Sequence, residues 1–167
     1  MLHRFFKHMD QTFRFPEASA HCDIPCGIYD PITAQISALT VIRMADLIAE
    51  LAEKPELTVA DQARLSRLVS QKEEHALKVK EEVRIIWGDF FKAPQFEKVP
   101  DAHELVHNIM MQGSKCRQHV DREMAVELLN LVNQFAEAFW LTKGVPTYAA
   151  PCPYPPSEMV IYPKLEA

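Results

Sequence analysis

An all-α, up-down-up-down four-helix bundle is the architecture expected of residues 30–144, on three observations. Apolar residues recur there at three- and four-residue steps, the spacing that stripes one face of a helix. The breaks between these stretches are short and marked by proline, glycine or capping residues, which favours antiparallel neighbours. Glycine is otherwise scarce, four in 167 residues, and that disfavours a turn-rich β fold.

In chain order, Asp30 can cap the first helix and Pro31 suits its first position. Ile32, Ile36, Leu39, Ile42, Leu47 and Leu51 then form an apolar face up to about Lys54, where Pro55 ends it. Thr58 followed by Asp61 resembles a capping box. It opens a second helix faced by Leu65, Leu68, Ala76, Val79, Val83 and Ile86, with its end expected at Gly88. Pro94 and Pro100 bracket an irregular link. The third helix is expected from Asp101, with Glu104 at its third position, to a stop near Gly113. Ala125, Leu128, Val132, Phe135 and Phe139 alternate in threes and fours along the fourth, which stops at Gly144. Residues 145–167 hold six of the twelve prolines and three of the four tyrosines. Such a tail cannot be helical and is expected to be extended and polyproline-like, its aromatics favouring docking.

Composition narrows the classes of function. Apolar residues are 48% and charged ones 25%, as in a soluble single domain. A formal charge of −5 and the lack of a basic tract argue against nucleic acid. No continuous apolar run approaches the roughly 18 residues of a membrane span. Four cysteines are too sparse for a disulfide scaffold, and Cys116 and Cys152, each alone, read as inert apolar side chains. Residues 1–20 end in Ala18-Ser19-Ala20, a run that looks like a cleavage point. No apolar segment of signal-peptide type precedes it, so the expectation is a leader removed by a processing protease in the cytoplasm.

Cleavage there makes His21 the amino terminus of His21-Cys22-Asp23-Ile24-Pro25-Cys26-Gly27-Ile28-Tyr29. An α-amine and the next backbone nitrogen close one chelate ring, and the Cys22 thiolate closes a second on the same nitrogen. The Cys26 thiolate returns through a tight turn to complete a plane. Square-planar nitrogen and sulfur donors suit Ni(II) or Cu(II), whereas zinc prefers a tetrahedron. The His21 ring can reach an axial position, and Pro25 and Gly27 permit the turn, with a cis Ile24–Pro25 bond as one way to make it. Two other readings remain open from the residues. His103-Glu104-Leu105-Val106-His107 matches the HExxH pattern of zinc peptidases, with Glu127 as a distant third ligand. A nickel- or copper-carrying or sensing bundle without turnover would also use the hook. Glu104-x-x-His107 echoes a di-iron bundle too, but Lys72 stands where a second glutamate is needed before His75.

The hook, followed at once by Asp30-Pro31, resembles that of the nickel-containing superoxide dismutases. The likeness extends to Trp87-Gly88-Asp89-Phe90-Phe91-Lys92, Phe96-Glu97-Lys98 and Phe139-Trp140-x-Thr142-Lys143. The resemblance implies a homohexamer of four-helix bundles, one nickel per subunit, and disproportionation of superoxide to oxygen and peroxide. It implies His21 (amine and imidazole), Cys22 (amide and thiolate) and Cys26 (thiolate) as ligands. Tyr29 would screen the open axial face and Asp23 would help to order the hook. The family pairs a glutamate on the first helix with an arginine on the second to steady the axial imidazole, and the aligned positions here are Ser37 and His75. A second tyrosine of the family appears as Phe90. Lys92 or Lys98 is expected to attract the anionic substrate locally.

Overall fold

The computed structural model describes residues 26–165. Four long helices form the bundle: α1 (Ile32–Ala52), α2 (Val59–Ile85), α4 (Ala102–Gln118) and α5 (Arg122–Lys143). A π-helical turn, Ile86–Phe90, extends α2, and a six-residue helix, α3 (Ala93–Lys98), occupies the link expected to be irregular. Pro94 is no obstacle to α3, because the first turn of a helix has no use for its missing N–H.

Each long helix packs on its neighbours in sequence, and α5 closes the ring on α1. Phe135, Phe139, Ile42, Ile109, Leu128, Val79 and Val83 are fully buried at its centre. All but Ile109 lie on the expected apolar stripes, whose burial accounts for the bundle, although Ile36 of the first stripe is exposed. Local signals hold the ends. The Asp30 carboxylate accepts the Ile32 N–H at 2.8 Å. Thr58 and Asp61 form the expected capping box, Asp121 accepts from Met124 N–H at 2.9 Å, and Gly144 closes α5 at φ 71°.

Two glycines depart from expectation. Gly113 does not end a helix. It lies inside α4, which runs five residues further, because a Cβ there would come within 2.9 Å of the Lys80 side chain on α2. Its bareness serves the close approach of two helices. Gly88 sits within the π-helical turn, so α2 gives up its regular pitch at Ile85 and the chain does not break at the glycine. By length and composition the 21 residues of α1 are enough to cross a membrane, although polar residues interrupt its apolar ones. Half of that stretch is buried inside the bundle.

The tail is extended but is not a polyproline helix. β1 (Thr147–Pro151) pairs antiparallel with β2 (Met159–Pro163), Ala149 opposite Ile161. The prolines fall at strand ends and in the 152–158 loop, where no ladder N–H is required. The hairpin docks on α5 through β2, burying Val160 and Cys152 into the main core.

Candidate metal centre

Of the residues expected to form the metal site, Cys26 and Tyr29 are described; His21, Cys22 and Asp23, and the Ile24–Pro25 bond, lie outside the described residues. Gly27 adopts φ 71°, a conformation other residues enter only with strain. It turns the chain so that the Ile28 N–H reaches back to Cys26 Sγ at 3.5 Å. The turn keeps this sulfur beside the backbone at the start of the bundle, and a cysteine binds metal through its thiolate sulfur. This described half of the hook therefore fits a thiolate-bound metal.

Tyr29 is half-buried, its ring 5.8 Å from that of Phe90. Phe90 comes from the π-helical turn and packs in turn on Phe91 at 5.6 Å and on Phe139 of α5 at 4.9 Å. The turn after α2 thus supplies the ring that pins Tyr29. Lys143 lies over this cluster, its Nζ 4.8 Å from the Phe90 centroid and 5.3 Å from that of Phe139. Sequence reasoning had assigned local positive charge to Lys92 or Lys98. Their ammonium groups donate to the Gly88 and Thr142 carbonyls at 2.9 and 3.0 Å. Lys143 was missed, although it ends the Phe139-to-Lys143 motif, because its approach to Phe90 spans 53 residues of chain. Below Tyr29, a cavity of about 140 Å³ is lined by Ile28, Tyr29, Asp30, Thr33, Glu82 and Ile86. A larger cleft of about 400 Å³, at Glu73, Ser114, Arg117 and Gln118, shares none of these residues.

The two positions aligned with the family's imidazole supports are both engaged within their own helices. Ser37 is buried and its hydroxyl donates to Thr33 O at 2.7 Å, while His75 Nδ1 lies 2.8 Å from Gln71 O.

The HExxH reading finds no support. His103, Glu104 and His107 are exposed. His103 stacks on Phe96 with ring centroids 4.3 Å apart, and its Nδ1 accepts the Trp87 indole N–H at 3.1 Å. Glu127 instead lines a cavity with Asn108, Met111 and Lys115. Among the described residues no group of three or more His, Cys, Asp or Glu side chains could hold a metal. Nor is there a di-iron site at Lys72. Its buried ammonium donates to the Cys116 and Arg117 carbonyls at the end of α4, and burial holds its pKa below the usual value. The thiols of Cys116 and Cys152 are buried and donate to the Met124 and Tyr154 carbonyls. Burial pushes the Cys116 thiol up to about 11, so it is inert at neutral pH.

Comparison with known proteins agrees with this geometry. The profile of the nickel-containing superoxide dismutases matches residues 16–143. The chain is 34% identical over 125 residues to superoxide dismutase [Ni] of Streptomyces coelicolor, covering 75% of this chain and 89% of that one. It is 32% identical over 127 residues to the enzyme of Streptomyces seoulensis, covering 76% and 91%. A native nickel superoxide dismutase structure superposes with a TM-score of 0.64 at 33% identity, over 74% of this chain and 99% of that one. An apo structure gives 0.62 at 29% identity, over 70% of this chain and 98% of that one. With the cysteine turn, the pinned tyrosine and the bundle beneath them, these matches establish that the chain belongs to the nickel-containing superoxide dismutase family.

Proposed function

We propose that cleavage between Ala20 and His21 creates the metal site with which this chain dismutates superoxide. The α-amine and imidazole of His21, the amide nitrogen and thiolate of Cys22 and the thiolate of Cys26 hold one nickel. The observation that carries this reading is the turn at Gly27, which presents Cys26 Sγ to the Ile28 N–H three residues before a tyrosine fixed by Phe90. Bound nickel supplies the Ni(III)/Ni(II) couple that oxidises one superoxide to oxygen and reduces a second, with two protons, to hydrogen peroxide.

The chain's own residues bind, screen and attract. Tyr29 would screen the bound metal from the side where superoxide arrives, and Asp23 would order the hook. Phe90 stands where the family has a second tyrosine, so the approach has one hydroxyl fewer for holding water or passing a proton. Superoxide is an anion and the chain is net negative, so attraction has to be local. Lys143, over the ring that holds Tyr29, provides it more directly than Lys92 or Lys98. Ile28, within the hook, is 73% exposed. An exposed apolar residue there fits a site shielded by neighbouring subunits, as in a homohexamer.

The test is to prepare chains beginning at Met1, Ala20 and His21 and to assay nickel content and superoxide decay together. An α-amine titrates near pH 8 (about 7.7–8.0) and yields its proton to a metal, whereas an amide within a longer chain is a far poorer ligand. Only the His21 form is expected to be active. Equal activity of all three would show that the free amine is not a ligand. Nickel binding without superoxide decay would favour a carrier.

A further inference from the structure

We propose that the C-terminal hairpin is a strap that fixes the footing of the metal hook, with Gln35 and Asn133 as the positioning residues through which it acts. The hairpin, from Thr147 to Pro163, lies beyond residues 16–143, the part of the chain matched to the family. Gln35 lies in the first turn of α1, six residues after Tyr29, and is 2% exposed. Its amide Nε2 donates twice, to Ile161 O on β2 at 2.8 Å and to Asn133 Oδ1 on α5 at 3.1 Å. Asn133 returns the contact. Its Oδ1 accepts the Ile161 N–H at 3.2 Å and its Nδ2 donates to Met159 O at 2.9 Å. Two side-chain amides thus satisfy the outer edge of β2, and the turn of α1 that carries the hook is bonded to α5 and the hairpin together.

A second grip lies further along α1. Arg122, at the start of α5, pairs with Asp46 of α1 at 2.8 Å and with Glu158 of the hairpin loop at 2.5 Å. The hairpin therefore holds α1 at two points about three turns apart, and the nearer one lies beside the hook's exit. A short hook holds its donors in one plane only as well as its attachment is fixed, and outer groups that orient ligands commonly govern metal affinity. Without the hairpin, the buried Gln35 amide keeps Asn133 but loses Ile161, and the first turn of α1 is free to rock.

This inference rests on the nickel-hook reading for one of its two readouts. Chains beginning at His21 are compared as parent, Gln35→Leu, Asn133→Leu, Glu158→Ala and a form ending at Gly144. The readouts are the nickel dissociation constant by chelator competition and amide hydrogen exchange at residues 28–36. Gln35→Leu and the shortened chain are expected to weaken nickel binding about tenfold and to speed exchange at 28–36. Glu158→Ala, at the distant grip, is expected to do so much less. If the shortened chain fails to fold, Gln35→Leu and Asn133→Leu decide alone. A nickel constant within about twofold of the parent and unchanged exchange at 28–36, with only the melting temperature lowered, would overturn the strap. Should the parent bind no nickel, the hook reading fails by itself. Exchange at 28–36 then decides the strap, faster exchange in Gln35→Leu upholding it and unchanged exchange overturning it.

Discussion

Cys26 and His103 are both residues a metal could use, and their surroundings separate them. The Cys26 thiol sits on a turn that Gly27 closes whatever the side chain, outside the bundle core. His103 is held between Phe96 and Trp87, stacked on one and accepting a hydrogen bond from the other. Cys26→Ser is therefore expected to abolish superoxide turnover while far-UV circular dichroism and melting temperature stay near parental values. His103→Ala should do the reverse, keeping nickel and turnover while losing about 1 kcal/mol of stability through the stacking and indole contacts. Nickel loss in His103→Ala, with Cys26→Ser still active, would move the metal from the hook to α4.

Helix ends carry the stability effects that pH can reach. The Asp61 carboxylate closes the capping box of α2, 2.6 Å from Lys54 Nζ and within hydrogen-bond reach of the Thr58 hydroxyl and N–H. The Lys54 contact, then the Thr58 bonds, lower its pKa from 3.8 to about 2. Because the folded value lies below the unfolded one, this contribution is fully present above about pH 4 and is lost as pH falls through 2. Urea midpoints of the parent and Asp61→Asn should differ by a constant amount above pH 4 and converge toward pH 2. A gap that persisted at pH 2 would show that the carboxylate's charge is not what holds the cap. Gly113 and Lys72 show that element pairs matter as much as ends. One lets α2 approach α4, and the other sends a cation from α2 to the last carbonyls of α4, the end where a helix dipole favours positive charge.

For the whole molecule, association is the property that the exposed apolar residues call for. Ile28, Leu141 and Met111 are each more than half exposed, and burying them between subunits would shield apolar surface from water. Sedimentation of the chain beginning at His21 should give a hexamer, with monomeric material low in activity. A fully active monomer in dilute solution would remove the need for a shielding neighbour.

The proposed metal chemistry is legible in the chain because the donors proposed for it are contiguous. His21 to Tyr29 is nine residues, and a chelate built from an amine, an adjacent amide and nearby thiolates needs no fold to bring it together. Helix positions were legible for a similar reason, since periodicity and caps such as Thr58–Asp61 are local. What the chain alone left undecided depends on partners far apart in sequence. Gly113 looks like a stop until Lys80 is seen against it. Lys72 only rules out a second Glu-x-x-His until the end of α4 is seen to bury it. Tyr29 and Lys143 both meet Phe90 only when the chain before α1, the π-helical turn and α5 converge. The proline-rich tail becomes a hairpin because Gln35 and Asn133 offer its edge the hydrogen bonds that water would otherwise provide. Local energies choose the elements, but which polar groups lose water, and what replaces it, is settled by packing between distant segments.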